Sequence, residues 1–129
     1  MSGDGRRSQR TADDRRSALD RGHRAEAWAA GELEAMGWCV LERNARAGNG
    51  EIDLVIRREG CVRFVEVKGR TAVEDGWSAV TPWKQGKLRR AAEMWLQLHP
   101  DVAYDEVAFM VAVVTFGEPW KLELLDDAF

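Results

Sequence analysis

From Arg21 to Met36 the apolar positions recur at helical spacing, with Ala29, Ala30 and Leu33 on one stripe, and Gly37 closes the run as a helix stop. The period then changes. WCVLERNAR (Trp38 to Arg46) reads as a strand and AGNG as a loop, and EIDLVIRR and CVRFVEVK form a hairpin around Glu59 and Gly60. Gly69 to Val80 is irregular. Thr81-Pro82 starts a second helix, with Thr as the cap and Pro at the first helical position; its stripe Leu88, Ala91, Trp95, Leu98 runs to about His99, before Pro100. VAFMVAVVTF (Val107 to Phe116) is continuous and β-branched, as in a buried strand, and PWKLELL supplies a last strand. The order α-β-β-β-α-β-β predicts an α/β sandwich in which helices flank a central mixed β-sheet.

Residues 1–20 carry almost no large apolar side chains, so a flexible N-terminal tail is expected there and a single folded domain over residues 21–129. A chain of 129 residues with 45% hydrophobic and 32% charged residues suits one core. No apolar run is long enough for a membrane span, and the N-terminal residues lack the apolar centre of a signal peptide. A cytoplasmic protein with no membrane partner is therefore expected. Cys39 and Cys61 sit in strand-like segments far from any CxxC pairing, which predicts buried reduced thiols.

Net charge is −3, but it is unevenly spread. The first 27 residues hold seven Arg against five acids, whereas the segment from His99 onward holds Lys121 against seven acids. A polyanion would approach the N-terminal and central elements.

The hairpin carries the chemistry. If Glu59 and Gly60 are the two turn residues, Arg58 faces Cys61, Asp53 faces Glu66 and Glu51 faces Lys68. Like charges directly opposite destabilise a sheet. A shared divalent cation, Mg²⁺ or Mn²⁺, turns that repulsion into coordination, and Lys68 beside the pair adds a fixed positive charge. Glu26 lies on the apolar stripe of the first helix, and Lys84 extends the stripe of the second to a helix start that favours anions instead. Plainer readings stay open: a cross-strand ion pair for Glu51 with Lys68, a snorkelling residue for Glu26, and solvated side chains for Lys84 and Gln85.

Asp53, followed by Glu66-Val67-Lys68 on the adjoining strand and preceded by Glu26 on a helix, resembles the PD-(D/E)XK nuclease superfamily. GEIDLV, FVEVKGR, AVTPWKQGKLRRAAEMWL and the terminal DDAF look more closely like the YraN-like family of small bacterial proteins, over about residues 21 to 129. The resemblance implies a restriction-endonuclease-like core, shared with Holliday-junction resolvases, and a Mg²⁺- or Mn²⁺-dependent endonuclease acting on nucleic acid, DNA before RNA. On it, Asp53, Glu66 and Lys68 are catalytic, Asp53, Glu66 and Glu26 hold the metal, and Glu51, Gln85 and Lys84 are auxiliary. Two chains pairing as a homodimer would suit a resolvase.

Ala45, Gly48, Gly69 and Leu124 depart from the family pattern. Arg43, Arg46, Arg70, Lys87, Arg89 and Arg90 are the candidates for phosphate contact, and Trp77 and Trp83, in the loop after the motif, either stack on bases or join the core. Two rival functions use the same residues: a nucleic-acid-binding module with little catalysis, or a scaffold whose acidic C-terminal region meets a basic partner.

Overall fold

The structure, a computed structural model, describes residues 3–71 and 80–129, with side chains at residue 12 and from residue 15 onward within those ranges. Seven elements follow one another: α1 (Gly3–Ala35), β1 (Cys39–Ala47), β2 (Gly50–Arg58), β3 (Cys61–Thr71), α2 (Pro82–Leu98), β4 (Glu106–Phe116) and β5 (Lys121–Leu125). The five strands form one sheet in the order β1-β2-β3-β4-β5, parallel between β3 and β4 and antiparallel elsewhere. A parallel pair needs a crossover, and α2 supplies it. The predicted order and the mixed α/β sheet are both observed.

Each helix covers one face. On one side Ala25, Ala29, Ala30 and Leu33 of α1 pack on Leu54, Ile56, Val65, Ala112 and Val114; on the other, Leu88, Ala91, Ala92 and Trp95 of α2 pack on Ile52, Val55, Val62, Phe64, Val111 and Val113. Burial on both faces explains why β4 reads as an unbroken apolar run from Val107 to Val114. Trp95 meets Phe64 edge to face with ring centroids 5.8 Å apart, an arrangement that adds about 0.5–1.5 kcal/mol beyond its buried area.

The local signals account for the joints. Glu59 and Gly60 both have positive φ, 50° and 80°, as a two-residue hairpin turn of the right twist requires. Thr81 caps α2 by accepting a hydrogen bond from the Lys84 amide at 3.2 Å, with Pro82 next. At the opposite end of β3, Gly69 leaves room for Phe116, whose ring carbon would stand 2.9 Å from a Cβ there.

Two expectations need correction. Helix α1 runs from Gly3, earlier than the start near Arg21 that the apolar spacing predicts. Its side chains from Arg15 to Arg21 are exposed, so no buried apolar stripe marks this part of the helix in the sequence. Of the two free thiols, Cys39 is exposed and Cys61 half-buried. Cys39 opens the edge strand β1, where one side has no neighbour to cover it. Among the described residues no helix is long and apolar enough to cross a membrane.

Candidate active site

The hairpin register is the predicted one over its turn half: Arg58↔Cys61 through Leu54↔Val65 pair as the arithmetic requires. At Asp53 the two strands part. The next facing pair, Asp53 with Glu66, lies just beyond the ladder, and Asp53 bridges the gap with its side chain, Oδ2 accepting the Val67 amide at 2.8 Å. On the β1 side the ladder also skips a step, between Arg43↔Leu54 and Ala45↔Ile52, where Asn44 takes a left-handed φ of 52°.

The consequence is a change of face. Leu54 packs under α1 and Ile52, only two residues away, under α2, whereas residues two apart in a regular strand share a face. Strand β2 therefore rolls at Asp53. The predicted opposition of Glu51 and Lys68 does not form for this reason: Glu51 stays with β2, exposed and paired with Arg46 of β1, while Lys68 pairs with Val113 of β4.

Through the opening run four charged side chains. Glu66 is 7% exposed, and its Oε1 accepts a hydrogen bond from Lys84 Nζ at 2.6 Å. Asp53 lies next to Glu66, and on the α1 side Glu26 is close enough to Asp53 and Asn44 for their polar groups to bear on its ionisation. Burial, then the neighbouring Glu66 charge, push the Asp53 carboxyl up to about 8 against the opposing pull of the Val67 amide. Burial also raises Glu26, with Glu51 adding to the rise and His23 opposing it. Desolvation pulls Lys84 down, but the Glu66 bond and the charges of Glu66, Asp53 and Glu51 outweigh it, and the net direction is up. This answers the lysine's misfit with the helix start: the acids below it offset the dipole.

Open space adjoins the acids on both sides of the sheet. A cavity of about 610 Å³ on the α2 side is lined by Glu51, Asp53, Glu66, Lys84, Arg46 and Lys87, among others. A second, of about 530 Å³, is lined by His23, Glu26, Asn44, Glu51 and Asp53. Glu51 and Asp53 face both.

The other predicted residues divide. Lys68 lies on the same face of β3 as Glu66 by alternation and is half-buried, but it is not in the lining of the larger cavity. Gln85 is turned away, its Nε2 donating to the Val80 carbonyl at 2.8 Å, where it braces the start of α2. Arg46 and Lys87 reach the cavity, and Arg90 lines the hollow beside it. Arg43 is exposed on β1, away from these cavities, and Arg70 is held by Thr115 at 3.1 Å and by Glu123 at 3.9 Å. Trp83 lies on the first turn of α2 rather than in a loop and is 72% exposed; Trp77 falls outside the described residues. Among the described residues no three His, Cys, Asp or Glu side chains are grouped to hold one ion, so Glu26 keeps company with Asp53 without completing a triad.

Fold and site together define an α/β protein whose sheet opens between two strands to present a buried Glu66 and a half-buried Asp53, with a lysine, to one cavity. Residues 25–114 match the family described as "Uncharacterised protein family UPF0102", a span that contains Glu26, Asp53, Glu66, Lys68 and Lys84. The chain belongs to this family, the YraN-like proteins. It is 46% identical over 103 residues to the UPF0102 protein of Rhodopseudomonas palustris strain CGA009, covering 80% of this chain and 79% of that one. It is 38% identical over 112 residues to the one from Methylocella silvestris, covering 87% and 88%, and 44% identical over 101 residues to one from Bradyrhizobium sp. strain ORS 278, covering 78% and 72%.

Proposed function

We propose that the protein is a divalent-metal-dependent nuclease of the PD-(D/E)XK kind, hydrolysing phosphodiester bonds in nucleic acid, DNA before RNA. The observation that carries this reading is the carboxylate pair: Asp53 and Glu66 stand together in an open cavity, and Asp53 resists ionising there up to about pH 8. A proton on Asp53 and the ammonium of Lys84 are what relieve the pair in the free chain.

The donor set fits Mg²⁺ or Mn²⁺. Such ions take hard oxygens and are commonly held by one or two carboxylates, with water and substrate phosphate in the other positions. Asp53 and Glu66 would be those carboxylates, with Glu26 beside Asp53 on the α1 side. A bound cation supplies charge that acidifies water and neutralises the phosphate. Lys68, on the Glu66 face of β3, adds positive charge where negative charge develops, and Lys84 fixes the Glu66 rotamer. Arg46, Lys87 and Arg90 border the cavity with cations suited to phosphates.

A second reading, a binding module with little catalysis, draws on the Lys84–Glu66 pair, which engages one of the two ligands. Cleavage of branched, flapped, single-stranded and duplex DNA in Mg²⁺ and Mn²⁺ separates the two. The nuclease reading expects metal-dependent cutting that Asp53→Ala and Lys68→Ala abolish. Equal DNA binding by all three proteins with no cutting in Mn²⁺ would favour the binding module.

A further inference from the structure

The larger cavity does not end at the acids. It shares Gly48, Asn49, Gly50, Trp83 and Lys87 with a hollow of about 460 Å³ that continues along α2 past Arg90, Ala91 and Met94. Trp83, Lys87, Arg90 and Met94 are spaced four, three and four residues apart, so they lie within about 60° of one another on a single ridge of the helix. The ridge faces the β1–β2 turn. Gly50 permits that approach, since a Cβ there would stand 3.0 Å from the Ala91 Cβ.

The ridge is unusual for a solvated helix face. Trp83 is 72% exposed and Met94 39%, and both flank cations: Lys87 Nζ stands 4.6 Å from the centre of the Trp83 ring. An exposed indole with a bound ammonium offers a flat apolar surface and a positive charge side by side, the pair of features that base and phosphate require together. The acids of this region, Glu51, Asp53 and Glu66, are at the cavity end; Glu93, on α2, lies about 60° beyond Arg90, outside the ridge. Charge along the ridge itself is positive.

We infer that this groove is a track for an unpaired nucleic-acid strand, with a base stacked on Trp83 and the backbone held by Lys87 and Arg90. The site then selects substrates that have a single-stranded arm or flap entering the cavity over one that is fully duplex. From Trp83 to Met94 the helix rises about 16 Å, room for a short run of unpaired nucleotides. Trp83 and Lys87 serve as specificity residues on the α2 wall of the cavity that the carboxylates share. The inference rests on the nuclease reading only in taking the cavity as the place where the phosphodiester backbone enters.

Binding without turnover tests it, so the two readings fail separately. In EDTA, fluorescence anisotropy compares a labelled oligothymidylate of about 12 nucleotides with a blunt duplex of the same length, using wild type, Trp83→Ala, Trp83→Phe and Lys87→Ala. Wild type binds the single strand more tightly than the duplex. Trp83→Ala weakens single-strand binding by about 5- to 100-fold, Trp83→Phe restores most of it, and Lys87→Ala lowers the salt slope by about 1. Wild-type affinity in Trp83→Ala, or equal affinity for strand and duplex, overturns the track even if the enzyme cuts DNA. Loss of single-strand binding in Trp83→Ala supports it even if wild type cuts nothing in Mn²⁺.

Discussion

Lys84, on the first turn of α2, reaches down to Glu66 on β3, with Nζ 2.6 Å from Oε1, and so ties a helix to the strand whose buried carboxylate it neutralises. Glu66 is buried while Lys84 keeps about half of its side chain in solvent. The two ends of the pair are therefore unequal. Removing the lysine strands a buried charge, whereas removing both charges strands none.

That asymmetry gives the first prediction. Lys84→Met alone lowers stability by about 1–3 kcal/mol, the range for a charge-assisted hydrogen bond with one partner partly solvated. Adding Glu66→Gln to Lys84→Met recovers most of the loss. Urea unfolding of both single mutants and the double mutant, closed as a thermodynamic cycle, measures the coupling. Additive effects would mean that the pair contributes nothing.

The raised Asp53 carboxyl fixes how stability depends on pH in metal-free buffer. Its folded-state value, about 8, lies above its unfolded one, so the folded chain holds the proton more tightly. The resulting stabilisation is fully present below about pH 4 and is lost as pH rises towards 8. Glu26 is raised as well and adds to the same trend. Asp126 works oppositely: the Arg63 guanidinium bonds it at 2.6 Å and holds its carboxyl below the usual range, so its contribution disappears in acid. Thermal unfolding in EDTA should show a stability decline between pH 5 and 8 that Asp53→Asn flattens. Mn²⁺ at pH 8 should restore wild type and leave Asp53→Asn little changed.

Much of this site was legible in the chain, and the part that was not has a physical cause. The Glu59-Gly60 turn fixes strand parity from Arg58↔Cys61 to Leu54↔Val65, and just past that last pair the Asp53 and Glu66 side chains meet. Alternation, however, assumes a regular strand. Asn44 at φ 52° and the roll of β2 at Asp53 break that assumption, and the Glu51–Lys68 opposition fails as a result. Lys84 stood out as a cation at a helix start, but its partner depends on how α2 packs across β3, a non-local fact that spacing along α2 does not contain. Gln85 shows the converse: a polar residue beside the site is spent on the Val80 carbonyl.

The hairpin turn yields a prediction independent of function. A Cβ on Gly60 would meet Asp105 Oδ2 at 2.6 Å, and the residue also has a φ of 80°. Its carbonyl accepts the Asp105 amide at 2.8 Å, so the turn anchors the entry to β4. Gly60→Ala should cost about 1–3 kcal/mol in urea unfolding. An unchanged midpoint would show that the turn relaxes freely. The carboxylates lie at the far end of the hairpin, so under the nuclease reading cleavage per folded molecule should be unaffected.

Under the nuclease reading the two lysines near Glu66 have separable roles. Lys84 already bonds Glu66 Oε1 and therefore competes with a divalent cation for that carboxylate. Lys84→Ala should shift the Mn²⁺ midpoint for cleavage to lower concentration, because the carboxylate pair loses its resident positive charge. Lys68 lies one alternation further along β3 without a place in the cavity lining. As a stabiliser of developing charge it governs rate: Lys68→Ala should lower single-turnover cleavage at saturating Mn²⁺ by about 100-fold or more, with the metal midpoint unchanged. Metal titrations under single-turnover conditions read both quantities at once. A midpoint shift in Lys68→Ala with an unchanged maximal rate would reverse the assignment and make Lys68 the residue that tunes the metal site.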